Sequence, residues 1–315
     1  MTSALSFQTK PLHFIEDLQQ PVKGYDIDIE QFEAGAFQGS LIHGAADDVL
    51  VSFGRFNRGV RSRGIWSGDK VVLGLLVGCS QRATQRSVDA SPGSLVCCPA
   101  GHEHDSTYRG HSSFAGLAFD ARSAPSLFGS YGERLADADL RDFVHVRPPQ
   151  ELGDRVTARL ARIVPRLAAA TLSEAGARYW SRAIVEAFAA LLTTGLRSPE
   201  RDRPIPSARI VRQVGDLVGP NLSQLHHISD ICRALNVSRR TLHRAFDDVV
   251  GIGPVTYLRH KRLNAARRAL QTAAPPGQTV TRIALDHGFD DVGRFCAYYQ
   301  NMFGEYPLNT LKKRH

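Results

Sequence analysis

Ile231-Cys232-Arg233-Ala234-Leu235-Asn236-Val237-Ser238-Arg239-Arg240-Thr241-Leu242-His243-Arg244-Ala245-Phe246 is followed by Gly251 and Pro254. Ile283-Ala284-Leu285-Asp286-His287-Gly288-Phe289-Asp290-Asp291-Val292-Gly293-Arg294-Phe295-Cys296-Ala297-Tyr298-Tyr299 is followed by Gly304 and Pro307. The two stretches are copies of one pattern. Ile231 matches Ile283, Asn236 matches Gly288, and Val237 matches Phe289. With one extra residue in the second copy, Leu242 matches Phe295 and Phe246 matches Tyr299. Each copy predicts a short helix that stops at Asn236 or Gly288, residue types that tolerate the left-handed conformation of a tight helix end. Val237 or Phe289 plugs the corner. Ser238, or Asp290 in the second copy, is expected to cap the next helix by accepting from its first free N–H groups. That second helix buries Leu242 and Phe246 and turns Arg239, Arg240, His243 and Arg244 outward. This is the logic of a helix-turn-helix, whose second helix fits a DNA major groove and whose arginines can bond guanine edges in pairs.

Between the copies the spacing predicts one longer helix, opening at Pro254 and carrying Val255, Leu258, Leu263, Ala266 and Leu270 on one side. Its other side holds Arg259, Lys261, Arg262, Arg267 and Arg268, which are expected to face phosphates. The charge distribution agrees. The chain of 315 residues has a formal net charge of +8. From Ser207 onward there are 16 Lys and Arg against 8 Asp and Glu, whereas the first 206 residues carry 23 of each. All the excess positive charge therefore lies in the last third, which points to a polyanion partner there.

The rest of the chain reads differently. Leu50–Phe53, Val71–Val77, Ser94–Cys98 and Phe114–Phe119 are short β-type runs with turn residues between them, as in a sandwich or barrel. From Gln150 the period becomes helical through Val156, Leu160, Ile163, Val164 and Leu167. After Ser173 it continues through Ile184, Ala187, Phe188, Leu191 and Leu192. Such a stripe suits a core or a subunit interface equally. Arg197–Pro206 holds three prolines and five charges, the composition of a linker.

With these residues set out, the segment from about Ile210 to Arg314 resembles the DNA-binding domain of the AraC/XylS family of bacterial transcription regulators. The resemblance is strongest in the first helix-turn-helix, in Tyr257–Arg268, and in Gly288-Phe289 with Phe303–Pro307. Val237–Leu242 and Gly251–Pro254 look most like the ethanolamine-utilisation regulators of that family. The resemblance implies an α+β multidomain fold: a cupin-like effector-sensing barrel at 1–149, a helical dimerisation segment at 150–197, a linker at 198–206, and an all-α DNA-binding domain at 207–315. The two helix-turn-helix motifs fall at about 229–247 and 281–301. The expected DNA-binding residues are Arg239, Arg240, His243, Arg244 and Arg294. In the second reading helix the positions matching Arg240, His243 and Arg244 are Gly293, Cys296 and Ala297, so base reading is expected mainly from the first. The implied partners are double-stranded promoter DNA, a small-molecule effector, a second copy of the chain, and RNA polymerase.

In the N-terminal part, Gly93-Ser94-Leu95-Val96-Cys97-Cys98-Pro99-Ala100-Gly101-His102-Glu103-His104 resembles the second conserved motif of cupin barrels. Metal cupins draw further ligands from an upstream His-x-His with a Glu, and only His43 is near. Three or four ligands are needed, so no metal and no other cofactor is expected. Trp66, His102 and His104 are the candidate ligand-binding residues. No catalytic residue is expected: there is no Gly-x-Ser-x-Gly elbow, no His-Glu-x-x-His and no P-loop. A metal-dependent cupin enzyme fused to a DNA-binding module is the alternative. The five cysteines lack zinc spacing, and Cys97-Cys98, alternating on a strand, read as buried filler. No apolar run approaches the ~20 residues of a membrane span, and Met1–Lys10 has no signal-peptide pattern, so a cytoplasmic location is expected.

Overall fold

The computed structural model describes residues 6–18, 26–46, 49–134, 140–196, 204–219, 227–272 and 278–313. Its N-terminal half is built from β1 (Ser6–Leu12), β2 (Asp26–Gln31), β3 (Gly39–Ala46), β4 (Val49–Phe56), β5 (Val60–Ile65), β6 (Val71–Cys79), β7 (Ala83–Gln85), β8 (Val88–Ala90), β9 (Leu95–Cys98), β10 (Glu103–Tyr108), β11 (Ser112–Phe119) and β12 (Val144–Val146). All pairings are antiparallel. The strands form two sheets, ordered β1-β3-β4-β11-β6-β9-β12 and β2-β5-β10-β7-β8. Among the described residues the two sheets are not hydrogen-bonded to each other, so they do not close into the barrel expected from the cupin-like motif. The four sequence-predicted strands are β4, β6, β9 and β11, all inside the larger sheet. The other strands lack the continuous apolar runs by which these four are read.

Alternation gives the larger sheet two apolar faces. Val51, Phe53, Leu73 and Cys97 turn outward into a core shared with two long helices. A short α1 (Ala124–Phe128) precedes these helices, α2 (Gln150–Ala169) and α3 (Glu174–Gly195). Leu160, Val164 and Leu167 of α2 and Ile184, Phe188, Leu191 and Leu192 of α3 are buried in that same core. The helical stripe that sequence left open between core and subunit interface is thus occupied within the chain. Ser173 caps α3, accepting from the Gly176 N–H at 3.2 Å. The cupin-motif glycine has a packing reason. Gly93 adopts φ +89°, and a Cβ there would come within 2.9 Å of the Gly153 Cα on α2.

Residues 198–203 of the expected linker lie outside the described residues, as do His226 and Pro275-Pro276. Pro206, counted with the linker, is the first residue of α4 (Pro206–Val218), where a missing N–H is harmless. Then follow α5 (Ile228–Leu235), α6 (Arg239–Val250), α7 (Pro254–Thr272), α8 (Val280–Asp286), α9 (Val292–Phe303) and α10 (Pro307–Lys312). Two cores flank α7. One gathers Val211, Val214, Ile231, Leu242, Phe246 and Leu258. The other gathers Leu263, Leu270, Ile283, Phe295, Tyr299 and Phe303.

Candidate nucleic-acid interface and inter-sheet cavity

The corner of the first motif forms as its residue types dictate. Asn236 takes the left-handed conformation, φ 51° and ψ 45°. The Ser238 hydroxyl accepts from the Thr241 N–H at 3.0 Å. Leu242 and Phe246 are fully buried, and this fixes the rotation of α6. Arg239, Arg240, His243 and Arg244 consequently stand exposed on its outer side. In the second motif Gly288 turns the corner at φ 78°. The cap there is Asp291, not Asp290: its carboxylate accepts from the Arg294 N–H at 2.9 Å. The extra residue of the second copy is spent in this corner. Arg294 is exposed and pairs with Asp291 at 3.4 Å. Gly293 and Ala297 are exposed and Cys296 half-buried, so α9 offers little hydrogen-bonding capacity beside Arg294.

The basic side of α7 is used differently from the expectation. Lys261 donates to Glu30 at 2.7 Å, both side chains being buried. Arg267 is clamped between Glu16 at 2.6 Å and Glu305 at 2.9 Å. Arg268 meets Asp28 at 3.2 Å. Three cations assigned to phosphates are therefore neutralised by other parts of the chain, two of them out of solvent. Arg259 stacks over the Tyr298 ring at 4.4 Å. Sequence reasoning missed this because Glu16, Asp28 and Glu30 are distant in sequence and look like ordinary surface acids.

The same contact region has an apolar anchor. Phe32, immediately after β2, is 2% exposed and inserts into the first helix-turn-helix core. Its carbonyl accepts from the His260 imidazole at 2.7 Å, and that of Gln31 accepts from the Asn264 amide at 2.7 Å. The Gln31 amide reaches the Met302 carbonyl at 2.9 Å, near the end of α9. Arg61 of β5 donates to the Tyr257 hydroxyl at 3.0 Å and pairs with Asp105 at 2.9 Å. Gly215 of α4 leaves room for it, since a Cβ there would overlap the guanidinium. Arg63 pairs with Asp216, and Arg82 with Asp248.

The smaller sheet is therefore two-sided. Asp28, Glu30, Arg61 and Arg63 face the helical domain. The residues alternating with them, Ile27, Ile29, Val60 and Ser62, line a cavity of about 410 Å³. Across the cavity stand Leu50, Ser52, Val72 and Gly74 of the larger sheet. Trp66 lines it. His104 lies directly behind, fully buried, its ring stacked 4.2 Å from that of Trp66. His102 is exposed on the turn, with Nδ1 3.2 Å from the Ala100 carbonyl, and does not line the cavity. His43, noted in the sequence only for its isolation, lines the cavity beside Ser52, 3.1 Å away. Among the described residues, no cluster of three or more His, Cys, Asp and Glu is placed to hold a metal, and no helix is long and apolar enough to cross a membrane.

His104 yields a pH prediction. Its Nδ1 lies 2.8 Å from the Gly64 carbonyl, which can only accept, so Nδ1 carries the proton. Nε2 then accepts from the Ser62 hydroxyl at 2.8 Å. Burial drives the pKa down from 6.5 to about 4, against the opposing pull of the Gly64 carbonyl. The unfolded chain takes up this proton near pH 6.5 and the folded chain only near 4. The stabilisation is therefore intact above 6.5 and lost as pH falls toward 4, about 3 kcal/mol at ~1.4 kcal/mol per pH unit. Thermal denaturation at pH 7 and pH 4.5 should show that loss in the parent and a smaller one in His104→Gln. An equal loss in both would contradict it.

Comparison with known proteins places the helical domain. A family model described as "Helix-turn-helix domain" matches residues 231–313. The XylDLEGF operon transcriptional activator 3 of Pseudomonas putida is 29% identical over 137 residues, 43% of this chain and 40% of its own length. The probable thc operon regulatory protein of Rhodococcus erythropolis is 34% identical over 103 residues, 33% of this chain and 31% of its own. The chain thus matches less than half the length of either relative. A solved probable AraC family transcriptional regulator from Rhodopseudomonas palustris is 33% identical, covering 34% of this chain and 99% of its own, with a TM-score of 0.32.

Proposed function

Because the chain belongs to the AraC/XylS family of regulators, we propose that it is a sequence-specific transcription regulator that binds promoter DNA through α6 and α9 and answers to a small molecule held between its two sheets. One observation carries the reading. The capped helix α6 buries Leu242 and Phe246 and presents Arg239, Arg240, His243 and Arg244 together on its exposed side. A helix N-terminus so furnished suits base edges in a major groove. The cavity supports the effector part, since its size falls in the ~300–1,000 Å³ range of small-molecule sites. β2 supplies a route between the two functions: Ile27 and Ile29 line the cavity, Asp28 and Glu30 hold α7, and Phe32 enters the helical core. A second copy of the chain and RNA polymerase are further partners in this reading, with the domain limits as set out from the sequence.

The test is a binding scan over every single-base variant of the operator. Arg240→Ala and Arg244→Ala should each flatten base preference in one half of the site, since a bidentate arginine–guanine pair discriminates by ~1–3 kcal/mol. Arg294→Ala should weaken binding evenly across sequences, as loss of a phosphate contact does. Binding should also fall steeply with salt. An unchanged preference profile in both first-motif variants would rule out α6 as the reader.

A further inference from the structure

The walls of the inter-sheet cavity have a composition that selects the chemistry of its occupant. Not one Asp, Glu, Lys or Arg is among the 21 described residues that line it. The smaller sheet carries charged residues, but the pleat turns Asp28, Glu30, Arg61 and Arg63 to the opposite face, where they meet Arg268, Lys261, Tyr257 and Asp216 of the helical domain. What faces inward is chiefly aliphatic and aromatic: Leu18, Ile27, Ile29, Val60, Trp66 and Val72. Three polar pairs interrupt it: Ser62 with His104 and Gln85 with Tyr108 on the smaller sheet, and His43 with Ser52 on the larger. On the smaller sheet the Ser62 hydroxyl is committed to His104 as a donor, and its oxygen retains accepting capacity. On the larger sheet His43 Nδ1 meets Ser52, while His43 Nε2 is buried with no protein partner. A buried polar atom of this kind wants a hydrogen bond, and His43 lines the cavity.

Among the described lining residues an ionised ligand would find no counter-charge. Burial and the nearby Lys10 hold the His43 pKa below its ordinary value, so the imidazole stays neutral. A carboxylate, phosphate or ammonium group entering the cavity would lose its hydration with nothing to replace it but neutral dipoles, a cost that excludes it or neutralises it first.

We propose that the inter-sheet cavity takes a neutral, predominantly apolar small molecule bearing a hydroxyl, carbonyl or amide group that bonds His43 and Ser52, and that it discriminates against ionised congeners of the same skeleton. This rests on the reading of the cavity as the effector site and narrows it to a ligand class.

The experiment uses the full chain and the neutral fluorophore N-phenyl-1-naphthylamine. Saturable binding is followed by fluorescence and reversed by four competitors with one phenylbutyl skeleton: 4-phenylbutanol, methyl 4-phenylbutanoate, 4-phenylbutanoate and 4-phenylbutylammonium, at pH 7.5. The alcohol and ester should displace the probe at concentrations at least tenfold below those of the two ions. Gly116→Leu fills the cavity from the middle of β11, where an added Cβ meets nothing nearer than 3.8 Å. It should abolish saturable probe binding while the circular dichroism spectrum is retained. His43→Phe, a milder change, should keep probe binding and weaken the alcohol several-fold. If either ion competes as well as the alcohol, the ligand class is overturned and the site stands. If the folded parent shows no saturable binding, or Gly116→Leu leaves it intact, the cavity is not the effector site and both readings fall.

Discussion

Phe32→Ala is expected to speed amide exchange across the contact between the sheets and the helical domain by about a hundred-fold or more. Phe32 is 2% exposed and belongs to the core around Val214, Leu242, Phe246 and Leu258. Truncating a buried phenylalanine to alanine costs ~3–5 kcal/mol, from lost transfer energy and the cavity left behind. The residue is contributed by one unit and buried by the other, so the cost falls on their attachment rather than on either fold. At ~1.4 kcal/mol per factor of ten, the opening equilibrium shifts by about two to three and a half decades. Hydrogen exchange read by mass spectrometry on peptides spanning 29–36 and 257–268 would register it, with the strands of the larger sheet as internal control. Phe32→Leu should fall between the two. Unchanged protection in the 257–268 peptide of Phe32→Ala would mean that Phe32 does not hold the domains together.

The second large effect is asymmetric. Glu30→Gln should cost ~3–5 kcal/mol, because it leaves the Lys261 ammonium buried without its carboxylate. Lys261→Met should cost less. Glu30 then still faces Arg268 at 3.6 Å, so its charge is not abandoned. Replacing both, as Glu30→Leu with Lys261→Met, should recover most of the loss, since an apolar pair avoids the desolvation of both ions. Urea denaturation of the four proteins measures these costs side by side. Equal costs for the two single variants would show that Arg268 gives Glu30 no second partner in solution.

These interface residues mark where sequence reading stops. The helix-turn-helix pair was readable because its signals are local. Asn236, Ser238, Gly288 and the spacing of Leu242 to Phe246 each encode a backbone event within a few residues. The inner strands of the larger sheet were readable because both their faces are apolar. β2, Asp-Ile-Asp-Ile-Glu-Gln, was not. Its alternating acids have the pattern of a strand wetted on one side, and a polar face that docks onto lysine and arginine looks the same in sequence as one that meets water. The same ambiguity sent Lys261, Arg267 and Arg268 to phosphates. Trp66, a candidate ligand-binding residue from the sequence, does line the cavity. His43 was not among those candidates, and only the pairing of β3 with β4 brings it opposite Ser52. The displacement of the second cap from Asp290 to Asp291 is of another kind. The extra residue was visible, but not the place in the corner that absorbs it.

The pleat of β2 and β5 also bears on how such a chain can change over time. Ile29 and Ser62 are cross-strand partners on one side, and Glu30 and Arg61 are partners on the other. If the cavity is the effector site proposed above, substitutions on the inner side would re-tune which molecule is held and leave the lattice of ion pairs on the outer side as it was. Selection could then act on ligand choice and on domain attachment as nearly separate traits, though they are one residue apart along the chain. On that proposal a laboratory library could randomise positions 27, 29, 60 and 62 for new ligands without reworking the attachment of the helical domain.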